Sequence, residues 1–397
     1  MRKSRLSEGG TNLFQRIKAQ CAEAEKRGVT IIRLSIGQPS GPALESARKA
    51  AAQAVMSLEE SMHEYQDNGS PGVPNFAKRF VQAHIRTKLE TVPSENISFL
   101  PIPGIKPMLG LIPMACGAIN GRPIMVSTTT EPGYPTPVDW CRYLRLSTWH
   151  QALPTNPENQ FLFSRNDILS GITLLMLNYP HNPSGQAATF EWWTELCAYC
   201  QLNNVRLFND AAYAVLAHDK NVCALTDVAF NFKDLSWAEA FSASKAIGNG
   251  TGWRVGAICG SPDFVGNIAT IKGNTDSGFF APAAAGALYA LENDRESIEA
   301  CRKVYEDRIK FLIRILSSRG MRLAVEPKAG FFTLWLSPKE AFGQKIKDGE
   351  EFNNLMIQNT GIAGVPFGQY IRYAVTGPVE KWEIQINRGF LLAKVSY

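Results

Sequence analysis

The alternation of apolar and polar positions predicts a chain that changes character twice. Residues 12–28 (NLFQRIKAQCAEAEKRG) place apolar side chains at helical spacing and close on Gly28, so a helix is expected there. IIRLSIG (31–37) then reads as a short strand ending at a glycine. Between about 95 and 260, short apolar runs alternate with helical patterns. The strand candidates are ISFL (97–100), PIMVST (123–128), LSTWHQAL (146–153), ITLLMLN (172–178), VRLFND (205–210), AEAFSAS (238–244) and VGAICG (255–260). Their continuous apolar character predicts strands buried on both faces, hence an α/β fold with a mostly parallel seven-stranded sheet between helices. After residue 290 a long amphipathic helix (about 295–318) stops at Gly320, and MRLAV, FFTLWL and YIRYAV read as strands of a smaller α+β unit. The division expected is 1–40 as an N-terminal arm and part of the small domain, 41–290 as the large domain, and 291–397 as the small C-terminal domain.

Composition narrows the function classes. A chain of 397 residues with 45% hydrophobic and 19% charged residues is long enough for a large α/β body plus a lesser domain, and carries no signature of disorder. Net charge is +5 but the basic residues are scattered, which argues against a nucleic-acid surface and for a local phosphate or carboxylate site. The one CxxC, Cys197 to Cys200, lies in a helical stretch with no second ligand pair, so no metal site is expected. Free thiols suit a reducing, cytoplasmic compartment. The start MRKSR runs into Ser7-Glu8-Gly9-Gly10 and not into an apolar stretch, and the run from Ala281 to Leu291 is too short to span a bilayer; neither a signal peptide nor a membrane partner is expected.

Ligands of open α/β sheets sit at the carboxyl ends of strands, and four such ends carry chemistry here. ITLLMLN leads into a turn through Asn182, which alone is good turn chemistry. VRLFND ends on Asp210, an acid that is costly to bury without a cation, with Tyr213 three residues on. AEAFSAS is read as ending at Lys245. FLPIPG leads through Gly104, Ile105 and Lys106 into a helical segment whose first N–H groups suit an anion. Downstream of Lys245 the stretch AIGNGTGWRVG holds three alternating glycines; it lacks the GxGxxG spacing of a dinucleotide loop and returns to Arg254. A cation near Asp210, a phosphate near Gly104–Lys106 and Arg254, and a carbonyl near Lys245 are together answered by pyridoxal 5′-phosphate.

The order NPSG, DAAY, SASK and GWRVG resembles the class I/II aminotransferases of the fold-type I pyridoxal-phosphate enzymes, over nearly the whole chain from NLFQRIKAQ and LSIGQP to GVPFG and YIRYA. DAAYA, PGYP and NTDSGFFAPAAAG look most like LL-diaminopimelate aminotransferases. The resemblance implies that Lys245 forms the Schiff base and moves the proton, that Asp210 pairs with the ring nitrogen, and that Asn182 and Tyr213 donate to the ring oxygen. It assigns the phosphate to Ile105, Lys106, Ser242 and Arg254, a ring contact to Tyr134, and the substrate carboxylate to Arg372 with the Gly37 backbone. It further implies a homodimer in which Tyr65 reaches the neighbouring site. Lys245 to Arg254 is nine residues, one more than the usual spacing; Pro137 stands where a second tyrosine is frequent, and Asp67 or Asn68 stands where a distal-amine ligand would be.

These features predict a ping-pong transaminase acting on a small amino acid and a 2-oxo acid, LL-diaminopimelate and 2-oxoglutarate being the suggested pair. The same lysine and aspartate serve a pyridoxal-phosphate lyase, which is the alternative. A non-catalytic sensor on the same fold ranks last, because no helix-turn-helix precedes residue 30.

Overall fold

The computed structural model describes residues 13–118, 120–121, 123–145 and 148–397. The MRKSR start and Ser7–Gly10, Asn12 of the first helix, and Leu146 and Ser147 of the third sheet candidate lie outside them.

The first helix spans Leu13–Lys26, and Gly28 follows it at φ +83°. Of IIRLSIG only β1 (Ile32–Arg33) is strand; Ser35 to Gln38 leave the ladder to line a cleft. All seven sheet candidates are strands: β2 (Ser98–Ile102), β3 (Ile124–Thr128), β4 (Thr148–Ala152), β5 (Leu174–Leu177), β6 (Arg206–Asp210), β7 (Trp237–Ser242) and β8 (Gly256–Gly260). They form one sheet in the order β2-β8-β7-β6-β5-β3-β4, parallel except that β8 runs antiparallel to both neighbours.

Successive residues of β5 explain its unbroken apolar run. Leu174 and Met176 pack on the side of Met108, Ile112 and Phe264, whereas Leu175 and Leu177 pack with Trp193, Leu196 and Phe80 on the other. Every β5 side chain is therefore buried, as expected of a central parallel strand.

A second core gathers Tyr305, Ile309 and Leu312 of the helix Arg295–Ser318 with Trp335, Tyr373 and Phe390. Its sheet, ordered β13-β14-β9, is antiparallel and made of β9 (Phe332–Leu336), β13 (Val365–Phe367) and β14 (Tyr370–Ala374). Between them lie the short hairpin β10 (Glu340–Ala341) and β11 (Gln344–Lys345), and β12 (Ile362–Ala363). MRLAV is not a strand: Leu323 makes only an isolated bridge to Trp335, because Pro327 and Gly330 end the pairing within a few residues. The N-terminal segment joins this unit through β1, which pairs in parallel with β12.

Candidate active site

The carboxyl ends of β5, β6 and β7 open into a cleft of about 760 Å³ that the N-terminal segment covers from the other side. AEAFSAS does not end at Lys245. The strand stops at Ser242, whose hydroxyl caps a one-turn helix, Ala243–Ala246, by accepting from the Ser244 N–H at 3.1 Å. Lys245 is the third residue of that turn, and its Nζ donates to Ser244 Oγ at 3.0 Å. The turn lets the chain leave the sheet plane and swing the amine back over the strand ends, 5.4 Å from the centre of the Tyr213 ring. Burial pulls Lys245 below the ordinary lysine range; Asp210 opposes this and Arg254 adds to it.

Asp210 closes β6 and is 8% exposed. Burial pushes its carboxyl up to about 6, against the Lys245 charge and the Ala212 N–H that donates to Oδ1 at 3.1 Å. No described residue donates to its other oxygen. The Tyr213 hydroxyl likewise has no hydrogen-bond partner among the described residues, and burial pushes it well above the ordinary phenol range. Asn182 accepts from Arg372 Nη1 at 2.8 Å through its amide oxygen, and its amide nitrogen has no such partner. Three polar groups thus converge near Lys245 with bonding capacity to spare.

An anion cradle lies at one end. The helix Ile105–Ala115 begins without a side-chain cap at Gly104, where φ is +81°. Ile105 and Lys106, the first residues of that helix, line the cleft with Ser242 and Arg254. A Cβ at Gly104, already disfavoured by that positive φ, would strike the Arg254 guanidinium where it now lies. The nine-residue interval between Lys245 and Arg254 holds a single 3-10 turn, Thr251–Trp253, after which Arg254 takes φ +56°. Its guanidinium donates to Thr251 O (3.2 Å) and Pro103 O (3.3 Å). With this nine-residue interval Arg254 still lines the cleft.

Arg372 lies opposite, on β14, and is 1% exposed. Its Nη2 donates to Ser35 O at 3.0 Å, and the guanidinium stacks 4.3 Å above the Phe332 ring. Burial lowers its pKa to about 10. Gly37 comes so close that an added Cβ would sit 3.4 Å from Nη2.

Eleven of the twelve residues singled out in the sequence line this one cleft: Gly37, Ile105, Lys106, Tyr134, Asn182, Asp210, Tyr213, Ser242, Lys245, Arg254 and Arg372. Tyr65 does not; it is 77% exposed. Asp67 and Asn68 beside it are also away from the cleft, tied to Lys272, a fully buried lysine whose Nζ donates to Asp67 O, Asn68 Oδ1 and Asp276 Oδ1. Sequence reading missed Lys272, and it missed Asn178. The Asn178 amide donates to Asp210 O (2.8 Å) and accepts from the Asn182 N–H (3.0 Å), coupling two strand ends. Its signal was visible, since it is the polar residue that closes ITLLMLN.

The family model for aminotransferases of class I and II matches residues 29–381. The chain belongs to this family. Among this aminotransferase's relatives, the LL-diaminopimelate aminotransferase of Methanocaldococcus jannaschii is 30% identical over 91% of this chain and 85% of its own length. That of Natranaerobius thermophilus is 29% identical over 94% of both. The fold is shared with substrate-bound BacF from Bacillus subtilis (TM-score 0.82, 20% identity, 98% of this chain and 96% of that one). It is also shared with an aspartate aminotransferase double mutant from Thermus thermophilus (TM-score 0.81, 20% identity, 98% of each). No helix among the described residues is long and apolar enough to cross a membrane, and no described group of three or more His, Cys, Asp or Glu could hold a metal ion.

Proposed function

We propose that the cleft binds pyridoxal 5′-phosphate and that this aminotransferase works by ping-pong in a homodimer, LL-diaminopimelate being the donor and 2-oxoglutarate the acceptor. The donor follows the activity for which the relatives are named. The cofactor reading is carried by one observation: the Lys245 amine, an unbonded Asp210 oxygen, the Tyr213 hydroxyl and the Asn182 amide converge between an anion cradle and a buried arginine.

When bound, the cofactor supplies an aldehyde for an amine and a ring that withdraws electrons from the substrate Cα. Lys245 would hold the cofactor through that aldehyde, and its amine is placed to take and return a proton at the substrate Cα. Its lowered pKa keeps more of the amine neutral, which a proton acceptor requires. Asp210 would pair with the ring nitrogen and favour its protonated form. Tyr213 and Asn182 would donate to the ring oxygen, and Tyr134 would pack against the ring. The first N–H groups of the helix Ile105–Ala115, the Ser242 hydroxyl and Arg254 take the phosphate. Arg372 grips the substrate carboxylate with two parallel donors, aided by the Gly37 N–H. Asn182 and Ser35 hold the guanidinium in place, so little orientation is lost on binding. Tyr65 is assigned to the neighbouring subunit's phosphate.

Borohydride reduction of the cofactor-loaded protein followed by peptide mapping should find the cofactor tethered at Lys245, and Lys245→Ala should abolish both tether and turnover. With LL-diaminopimelate and no acceptor, one equivalent of 2-oxo acid per site is expected. Continuous release of ammonia instead would replace transfer by elimination, and a tether at another lysine would sink the assignment.

A further inference from the structure

The cleft is lined by six cationic side chains and one carboxylate, and the proposed reaction uses only part of that charge. Lys245 and Asp210 face the reacting centre, Lys106 and Arg254 the anion cradle, and Arg372 the substrate α-carboxylate. Lys18 and Arg33 are left over.

Both come from the N-terminal segment, and packing fixes both. Ile17 and Cys21 lie one turn apart on the helix Leu13–Lys26 and pack with Ile357 and Val365, which turns Lys18, beside Ile17, into the cleft mouth. Arg33 ends β1 two residues before Ser35, the residue that holds Arg372, and all three line the same cleft. Arg33 has an ion pair with Glu25 at 2.7 Å, both side chains being well exposed, at 38% and 45%. Such a pair is weak, and a guanidinium with five donors keeps several for a second anion. Lys18 has no ion pair among the described residues.

We infer that Lys18 and Arg33 form a subsite for a second carboxylate, so that this cleft selects substrates whose side chain ends in an acid and disfavours those ending in an amine alone. The inference builds on Arg372 holding the first carboxylate, as in the proposed function. 2-Oxoglutarate meets it, as does the distal carboxylate of a diamino diacid.

The test uses inert five-carbon acids that differ only at the far end: glutarate, pentanoate and 5-aminopentanoate, titrated calorimetrically into the cofactor-loaded enzyme at low salt. Affinity should fall in that order, with glutarate at least about tenfold tighter than pentanoate, and 0.5 M salt should compress the difference. Lys18→Met with Arg33→Gln should bring glutarate to within about twofold of pentanoate while leaving pentanoate unchanged. Lys18→Glu, a surface change that folding should tolerate, should invert the preference towards 5-aminopentanoate. Lys18→Arg should keep it. Equal affinities in the native protein, or a preference that survives the double substitution, would overturn the inference. These are binding readouts. An enzyme that discriminates among the acids yet transfers no amine would refute the transaminase reading and leave the subsite standing.

Discussion

Asp210 shows how one residue links folding and chemistry. An acid at the end of a buried strand is unfavourable until something cationic meets it, and among the described residues only Lys245 partly does so. Burial raises its folded pKa to about 6 from an ordinary 3.8, so the folded chain binds this proton more tightly than the unfolded chain. The cofactor-free protein should therefore lose stability as pH climbs from about 4 to about 6, with the full cost present above that. Asp210→Asn can still accept from the Ala212 N–H. It should make the cofactor-free form more stable by about 1–3 kcal/mol at pH 7, with the gain fading towards pH 4. Urea melts across that range measure this. The same variant should bind pyridoxal phosphate far more weakly, since the carboxylate that destabilises the empty cleft is the one the ring nitrogen needs. A variant that stabilises equally at pH 4 and pH 7 would show that the carboxylate is not the cause.

Among the elements, the loop between β7 and β8 carries the glycines of FSASKAIGNGTGWRVG, and they are not equivalent. A Cβ at Gly250 would lie 2.7 Å from Ala243 O, inside the turn that bears Lys245, whereas one at Gly252 meets nothing within 4 Å. Gly250→Ala should cost about 1–3 kcal/mol and weaken cofactor binding by displacing Lys245. Gly252→Ala should stay within about 0.5 kcal/mol of the native protein. Thermal melts and cofactor titration of both variants separate a loop that shapes the site from one that merely tolerates glycine. The sequence pattern located this loop but misplaced its start. The apolar run continues through Ala243, so nothing in the periodicity marks where the ladder stops at Ser242; the Ser242 cap, a local hydrogen bond, decides it.

At the scale of the molecule, Tyr65 is exposed just ahead of a turn that buried Lys272 fastens at Asp67 and Asn68, and it does not line the cleft that holds the other eleven residues. An exposed tyrosine outside its own site fits a contribution to a neighbouring subunit. Two forms, Tyr65→Ala and Lys245→Ala, should each be nearly inactive alone, yet recover activity when unfolded and refolded together, because one of the two sites in a mixed dimer escapes both defects. Light scattering should give about twice the 43.8 kDa chain mass. Failure to complement, with dimers present, would place Tyr65 outside the site.

By itself the sequence determined the seven-stranded sheet and the residues at its carboxyl ends. Burial on both faces imposes unbroken apolar runs, and a polar residue closing such a run has few places to go but the cleft. What it could not determine is what depends on distant partners. MRLAV has strand composition yet finds only one bridge. Asn178 matters because β6 lies beside β5, and Arg372 is fixed by Asn182 and Ser35, 190 and 337 residues away. Lys18 and Arg33 look like ordinary surface charges until packing of the first helix and pairing of β1 with β12 bring them to the mouth of the cleft. Local pattern records which face of an element is buried; only the tertiary structure decides what that face meets.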